Sequence, residues 1–515
     1  MKKRIALLLA ALMLSATVLG ACTPKADDPA VKDPSDTPSQ TTSKDGEKSE
    51  LPEVDLEWYL AVPNASMKDT ALVLEEFNKI TKEEINANVN INFIDFGSYG
   101  QQMQMKLSSN SSIDLMYTSN WTNDFYADVA RGAYQELDYE KIKEFAPNVI
   151  GGVPEGAWDA ARVGGKLYAM PNTQVLARWP AIMLRTEFIK KYNFDTTEVK
   201  SIDDFTPLFE QIAKNEKGVY PIDVHKNLDV LGFYISKMGY EYFGSTNPLG
   251  VKIGDKDLNI VNLYETPEMI AFLNTLRDWY NKGIIRKDAA TVTDTAGEIA
   301  NGMYASMFAV NNPDTLVNQS RNWNCKPEDL TMVTLSDPFL ATGSIVATMT
   351  AVGQTSKNAE RVYMLYNMMY DDNDSRLLNL LNFGIDGTHY KKVADDLIEL
   401  IPDSGFYIDC GWAYGNIFNS FRTNPNQPAW RPAGPDINNN AIVSDMLGFN
   451  MDPTKIKSEL AQISSVMGEL TPGLMTGSVD VEPALAQLNE KLKKAGMETV
   501  QKEIQVQMDA WKASK

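Results

Sequence analysis

Past residue 50 the apolar positions switch between two periods, and the switches mark elements. Leu56–Asn64 is a short apolar run ending in Pro63-Asn64, which predicts a strand and a turn. Asp69–Ile80 places Val73, Leu74, Phe77 and Ile80 on one helical stripe. Residues 88–96 alternate strictly, with Val89, Ile91 and Phe93 on one side and Asn88, Asn90 and Asn92 on the other. That alternation predicts a half-buried strand. Tyr99–Ser108 reads as a helix, Ile113–Asn120 as a buried strand, and 122–131 as a helix closed by Gly132. Strand, helix, strand, helix, strand predicts a parallel sheet covered by helices. Ligands of such sheets sit beyond the carboxyl ends of the strands. Those ends are Pro63-Asn64, Asp95-Phe96-Gly97 and Ser119-Asn120-Trp121.

The pattern restarts further along. "VGGKLYAMPNT" (163–173) predicts a hairpin running into an extended crossing segment, and helix–strand alternation resumes after it. Pro267–Gly283 predicts a helix with Ile270, Leu273, Leu276 and Trp279 or Tyr280 inward. The strand 301–312 is expected in the first sheet, and 343–352 is expected as another strand. A helix beginning at Ser356 puts Val362, Leu365, Tyr366 and Met369 on one face. Val481–Lys515 reads as helical, with Val500, Ile504, Met508 and Trp511 in phase after a break at Gly496.

The first 52 residues follow neither period. Met1-Lys2-Lys3-Arg4 precedes an uncharged apolar run, Ile5–Val18, too short to span a bilayer comfortably and of signal-peptide length. Leu19-Gly20-Ala21-Cys22 follows. Small residues suit a peptidase, and the Cys22 thiol can take a lipid, palmitate among its acyl chains. The stretch resembles the lipobox of bacterial lipoproteins. Thr23–Pro52 is Pro-, Ser-, Thr-, Asp- and Lys-rich and predicts a disordered tether. An ordinary secretory signal with a chance Cys is the plain alternative.

Charge and composition exclude more than they select. The net charge of −20 disfavours nucleic acid and anionic lipid headgroups. Two His, His225 and His389, exclude a His-rich metal site and leave a catalytic triad little to draw on. Cys325 and Cys410 either pair or stay as isolated thiols. Asp255-Lys256-Asp257-Leu258-Asn259 opens like a calcium loop, but Ile260 replaces the turn glycine and Thr266 the final acid. A polar hairpin is expected there. No metal or cofactor is expected.

The G-G-K-L-Y-A-x-P element in 164–171, the lipobox, "LLNFGIDGTHY" (380–390), "CGWAYGNIFNS" (410–420) and the helical stretch 485–514 carry a family likeness. Together they resemble family 1 extracellular solute-binding proteins of ABC importers. Within these the chain is similar to the large lipoprotein subgroup with a C-terminal domain of the DUF3502 type, LplA-like or LipO-like. The resemblance implies an α/β, two-lobed, periplasmic-binding-protein-like fold of type II, a receptor rather than an enzyme. It implies a monomer, lipid-anchored at the outer face of the bacterial cell membrane, that closes on a carbohydrate, usually an oligosaccharide, and docks on a membrane permease. The expected division is 1–21 signal peptide, 22–52 lipidated Cys and tether, 53–172 plus about 301–350 first lobe, and 173–300 plus about 351–515 second lobe. Hinge crossings are expected near Met170–Thr173, near 300 and near 345–355.

Sugar sites pair flat aromatics with amides, carboxylates and arginines. The candidates are Asn64, Asn120 and Trp121 at strand ends, Asn311 and Asn312 ending the later strand, and Tyr168 near the hinge. Arg178, Trp179, His225 and Asn227 are candidates from the second lobe, with Trp412 and Tyr414 in a glycine-flanked loop. Each has a plain structural reading as a turn or packing residue. An acidic oligosaccharide needs cleft cations, for which Arg178, Arg422 and Arg431 are available. A peptide or amino-acid-derivative receptor is the alternative cargo reading, and a surface glycoside hydrolase the alternative enzyme.

Overall fold

The computed structural model describes residues 51–312, 315–425 and 430–514, without the side chains of 430–433. The expected signal segment, Cys22 and nearly all of the tether lie outside the described residues. The body Leu51–Lys515 is a single compact unit containing two large hydrophobic cores.

The first core is built on a five-stranded sheet. Strand β1 (Val54–Val62) lies between β2 (Ala87–Asp95) and β3 (Leu115–Thr118), parallel to both. The β1–β2 register runs unbroken from Val54 opposite Ala87 to Val62 opposite Asp95. Met349–Val352 then pairs antiparallel with β3, and Met170–Pro171 pairs with Met349–Val352. Helix α1 (Thr70–Ile85) buries Val73, Phe77, Thr81 and Ile85, the predicted stripe carried one turn further. It ends at Asn86, whose left-handed backbone suits an asparagine cap. Helix α2 (Phe96–Ser108) starts directly at the end of β2. The helices Ala359–Met368 and Arg376–Phe383 also close on this core, as do Phe406, Ile408, Cys410 and Tyr414.

The second core contains a three-stranded antiparallel sheet, with Trp179–Arg185 between Ser306–Asn311 and Leu330–Thr334. It also takes in the helix Pro267–Asn281 and the C-terminal helices Lys457–Met475, Val481–Lys494 and Met497–Ala513. Gly496, at φ 91°, makes the predicted break, and Val500, Ile504 and Met508 are buried as the spacing requires.

Several expectations need correction. The strand within 301–312 pairs with Trp179–Arg185 in the second lobe, not with the first sheet. An apolar strand carries its period but not the address of its partner. Residues 342–346 form a helical turn, leaving only Met349–Val352 as strand. The segment from Ala359 to Tyr414 packs on the first core, although it was expected in the second lobe. On the helix 267–281 the inward residues are Met269, Phe272, Leu273, Leu276 and Trp279, while Ile270 faces water. The stretch from Asp255 is the polar hairpin expected, with Asp255 accepting from the backbone N–H groups of Asp257 and Asn259 between the strands Leu249–Lys252 and Ile260–Asn262. The two thiols are free, with Cys410 buried and Cys325 half-buried.

The crossings between the cores also differ from the expected ones. The chain leaves the first core after Leu176 and enters the second at Ile182. It returns between Leu335 and Leu340, and crosses a third time around 441–449. Neither 300 nor 345–355 is a crossing, because the first lies inside the second lobe and the other is the fourth strand of the first sheet. The three crossings hold one another. Arg178 and Phe339 exchange two backbone hydrogen bonds of 2.9 Å. Phe339-Leu340 pairs in parallel with Ile442-Val443. A narrow three-strand link of this kind lets two packed bodies move relative to each other by changing a few backbone angles.

Candidate functional site

The carboxyl ends of β1, β2 and β3 open toward one loop system. After β1, Asn64 is exposed and accepts from Ser66 N–H at 3.0 Å, while Asp95 at the end of β2 accepts from Ala65 N–H at 2.9 Å. The first two strand-end loops are therefore tied together. After β3, Asn120 donates to the Gly343 carbonyl at 3.1 Å.

Trp121, next in the chain, is 54% exposed. Its indole N–H donates to the Ala347 carbonyl at 2.8 Å, so the ring is held by its edge with a face left to water. Phe96 packs against it, with centroids 5.3 Å apart and planes 36° apart. Phe96 also meets Tyr117 edge-on at 6.2 Å and stacks on Trp412, whose plane is 4° from its own at 5.6 Å. Three rings from three remote segments thus form one partly solvated apolar surface at the strand ends. Large apolar faces left to water and braced by hydrogen bonds suit the flat face of a ligand ring.

Buried polar networks set these rings in place. Below Trp121, Asn123 accepts from Ser119 N–H at 3.1 Å and donates to Asp128 at 2.7 Å. Asp128, which is buried, also accepts from the Tyr134 hydroxyl at 2.8 Å and pairs with Arg131. Below Trp412, the Thr348 hydroxyl donates to the Trp412 carbonyl at 2.7 Å and accepts from Asn172 at 2.9 Å. Asn382, fully buried, accepts from Cys410 N–H and the Tyr414 hydroxyl and donates to Ser420 at 3.0 Å. Buried amides satisfied in this way fix a loop more sharply than apolar packing does.

Further candidates lie on the second lobe and the first crossing. Trp179 starts the second lobe's central strand opposite Asn311, and both are half-buried. Arg178 precedes it on the first crossing. Its side chain is exposed, and partial desolvation by nearby protein lowers its guanidinium pKa. Its ionisable neighbour is Tyr242, whose hydroxyl donates to Asp229 at 3.0 Å. Burial, reinforced by Asp229, raises the Tyr242 phenol. Arg321 of the second lobe lies within electrostatic reach of Tyr407 and Asp409 beside the Trp412 loop. Burial raises the Asp409 carboxyl, while the Tyr407 hydroxyl donates to it at 2.8 Å.

The predicted residues therefore separate. Asn120, Trp121 and Trp412 share the strand-end surface, with Asn64 on its flank. Trp179 and Asn311 pair at the end of the second lobe's central strand, next to Arg178 on the first crossing. Tyr414 is a correction: it is fully buried, with its ring edge-on to Trp58 and its hydroxyl held by Asn382, so it packs the core. Tyr168 packs against the first core beside the hairpin. His225 sits 3.1 Å from Asp223, which in turn accepts from Thr295 at 3.0 Å, a brace inside the second lobe. Asn227 donates to the Thr293 carbonyl at 3.1 Å, and the Asn312 carbonyl accepts from Thr315 N–H at 3.1 Å. Arg422 is committed to a two-pronged pair with Asp396, and the side chain of Arg431 lies outside the described residues. Phe96 was missed as a site residue, although it stands at a strand end. Its position was the signal. Asn382 gave no signal.

Residues 64–371, more than half of the chain, match the family described as bacterial extracellular solute-binding protein. The chain belongs to that family. Residues 445–513 of this solute-binding protein match a domain of unknown function, DUF3502. A carbohydrate ABC transporter substrate-binding protein of Streptococcus pneumoniae serotype 4 (strain ATCC BAA-334 / TIGR4) is 24% identical over 453 residues, covering 86% of this chain and 88% of that one. The crystal structure of the N-glycan transport solute binding protein NgtS of Streptococcus pneumoniae superposes with a TM-score of 0.77 at 22% identity, over 90% of this chain and 99% of that one. The same protein in complex with Man1GlcNAc superposes at 0.68 with 23% identity, over 90% and 100%. At these identities the likeness establishes the two-lobed fold.

Proposed function

We propose that this solute-binding protein is the receptor of an ABC importer for a carbohydrate, most simply an oligosaccharide, taken up between the two lobes and delivered to a membrane permease. The observation that carries the reading is the joined surface of Trp121, Phe96 and Trp412 facing water at the strand ends. Its extent suits more than one sugar ring, because each ring offers an apolar face to one aromatic. The hydrogen-bonding groups of Arg178, Trp179 and Asn311, on the first crossing and the second lobe, suit the hydroxyls. The names of the pneumococcal relatives, a carbohydrate receptor and an N-glycan receptor, support the same cargo class.

In this reading the open form samples closure, the sugar bridges both lobes, and closure buries it and presents one surface to the permease. The solute leaves chemically unaltered. Lipidation at Cys22 holds the receptor at the outer face of the membrane. Thermal-shift and calorimetric screening of the full chain against neutral and acidic oligosaccharides, peptides and amino acids tests the reading. A ligand at 100 times its Kd adds about 2.7 kcal/mol of stability. Stabilisation by sugars, weakened in Trp121→Ala, is expected. Stabilisation by peptides alone would overturn the carbohydrate cargo, and turnover of chromogenic glycosides would overturn the receptor role. Mass spectrometry of the membrane-bound protein tests the anchor, with loss of the acyl mass in Cys22→Ser expected.

A further inference from the structure

Arg178 differs from most arginines of the described residues. Arg131 is paired with Asp128, Arg286 with Asp288 and Glu298, Arg376 with Asp374, and Arg422 with Asp396. Arg185 and Arg361 spend their guanidinium donors on backbone carbonyls. The Arg178 side chain has no hydrogen bond and no ion pair among the described residues, in a chain whose net charge is −20. Its backbone, in contrast, is fixed by the two bonds to Phe339, so the side chain projects from an anchored point on the first crossing.

Its surroundings sharpen the contrast. The neighbouring Tyr242 hydroxyl is already given to Asp229, and the adjacent Glu241 is turned to Ser444 on the third crossing. Both acids nearby are therefore engaged elsewhere, and the exposed guanidinium stands beside the crossing without a counter-charge. An arriving carboxylate supplies one, with two parallel hydrogen bonds that match the guanidinium fork. A neutral diol makes the hydrogen bonds but leaves the charge uncompensated.

Building on the carbohydrate reading, we propose that the cargo is an acidic glycan, one of whose sugars carries a carboxylate that Arg178 receives in two-pronged fashion while neighbouring rings lie on the Trp121–Phe96–Trp412 surface. The acidic sugar is then the unit nearest the crossings, and the charge of the cargo is read by one residue.

The test is calorimetry on the full chain with matched pairs: trigalacturonic acid against its carboxyl-reduced form, and sialyllactose against lactose. The expected result is that the acidic member of at least one pair binds ten times tighter or more at low salt, and that the ratio shrinks as salt rises. Arg178→Gln should collapse that ratio toward one, and Arg178→Lys, which keeps the charge but loses the fork, should restore only part of it. The melting temperature of each unliganded variant reports folding. Binding of acidic and neutral members with equal affinity would overturn the inference and leave the carbohydrate reading standing. So would equal weakening of both members in Arg178→Gln, which would make Arg178 a plain hydroxyl donor. Silence with every sugar, alongside binding of peptides, would overturn both.

Discussion

Phe96 and Trp412 lie with their ring planes 4° apart and their centroids 5.6 Å apart, although one opens helix α2 and the other sits in a loop far along the chain. The stack joins the first strand-end system to the loop that returns to it. Trp412 also meets Tyr117 edge-on at 6.4 Å, so its ring has support on two sides. Replacing it with alanine removes a ligand face and also takes the stacking partner from Phe96. Trp412→Ala and Phe96→Ala are each expected to weaken sugar binding by about tenfold or more, since an aromatic contact of this kind is worth on the order of 1 kcal/mol beyond its area. Calorimetric titration of the two single variants and the double variant checks this. A double effect smaller than the sum of the singles would show that the rings act as one surface.

Asn382 makes no contact with the aromatic surface, yet it holds the loop that carries Trp412. Its amide meets Cys410 N–H, the Tyr414 hydroxyl and the Ser420 hydroxyl inside the core. Asn382→Leu keeps the volume and orphans these groups. The expected loss is about 2–4 kcal/mol of stability, because each buried polar group left without a partner costs about 1–3 kcal/mol. Thermal denaturation reads the loss. Shifted tryptophan emission and weaker sugar binding in the still-folded variant would report a displaced Trp412.

How much of this was readable beforehand follows from where period exists. The first run of strands and helices was legible because Val89, Ile91 and Phe93 alternate and Val73 and Phe77 recur at helical spacing. The terminal helices were legible for the same reason. The partner of Ser306–Asn311 was not, since a buried strand looks alike in either sheet and only the three-dimensional path assigns it. Within the site, the rule that ligands sit beyond strand ends found Asn120 and Trp121 and pointed at the position of Phe96. It offered nothing for the loop 410–414. There Trp412 is half-exposed and Tyr414 fully buried, and no period separates two aromatics in an irregular segment. The crossings were misplaced because extended segments between cores resemble strands inside them.

Gly477 links the helices Lys457–Met475 and Val481–Lys494 with φ at 66°. A Cβ there would stand 2.2 Å from the Leu276 carbonyl oxygen, which belongs to backbone and cannot swing aside. Arg277 donates to the Gly477 carbonyl at 3.0 Å and pairs with Asp480 at 2.6 Å, so the turn is clamped onto the helix Pro267–Asn281. Gly477→Ala meets both a disfavoured backbone conformation and a steric clash. It is expected to cost about 3 kcal/mol or more, since a strained non-glycine backbone alone costs about 1–3 kcal/mol. Reduced melting temperature and faster hydrogen exchange confined to the C-terminal helices would be the readout. An undisturbed melting curve would show that the turn is not fixed against the helix.

Glu241 gives the fold a pH dependence near neutrality. Burial raises its carboxyl from an ordinary 4.5 to about 7, the Ser444 hydroxyl bond pulls the other way, and Asp445 adds to the rise. The folded protein therefore holds a proton that the unfolded chain has released between about 4.5 and about 7. Where the folded state binds more protons, stability falls as pH rises. The contribution is thus least unfavourable below 4.5, worsens through the window and levels off above about 7. Glu241→Gln removes the ionisation while keeping an oxygen for Ser444. The variant is expected to melt higher than the parent at pH 8, match it closely at pH 5, and show a flatter slope between. Because Ser444 lies on the third crossing, ionisation also loads negative charge beside the hinge, next to Asp445, which pairs with Lys256 at 2.6 Å. Solution scattering of the unliganded protein at pH 5.5 and pH 8 follows that consequence. A more open average form at pH 8 in the parent, and none in Glu241→Gln, is the expected outcome. Equal pH slopes of melting in parent and variant would remove Glu241 as their source.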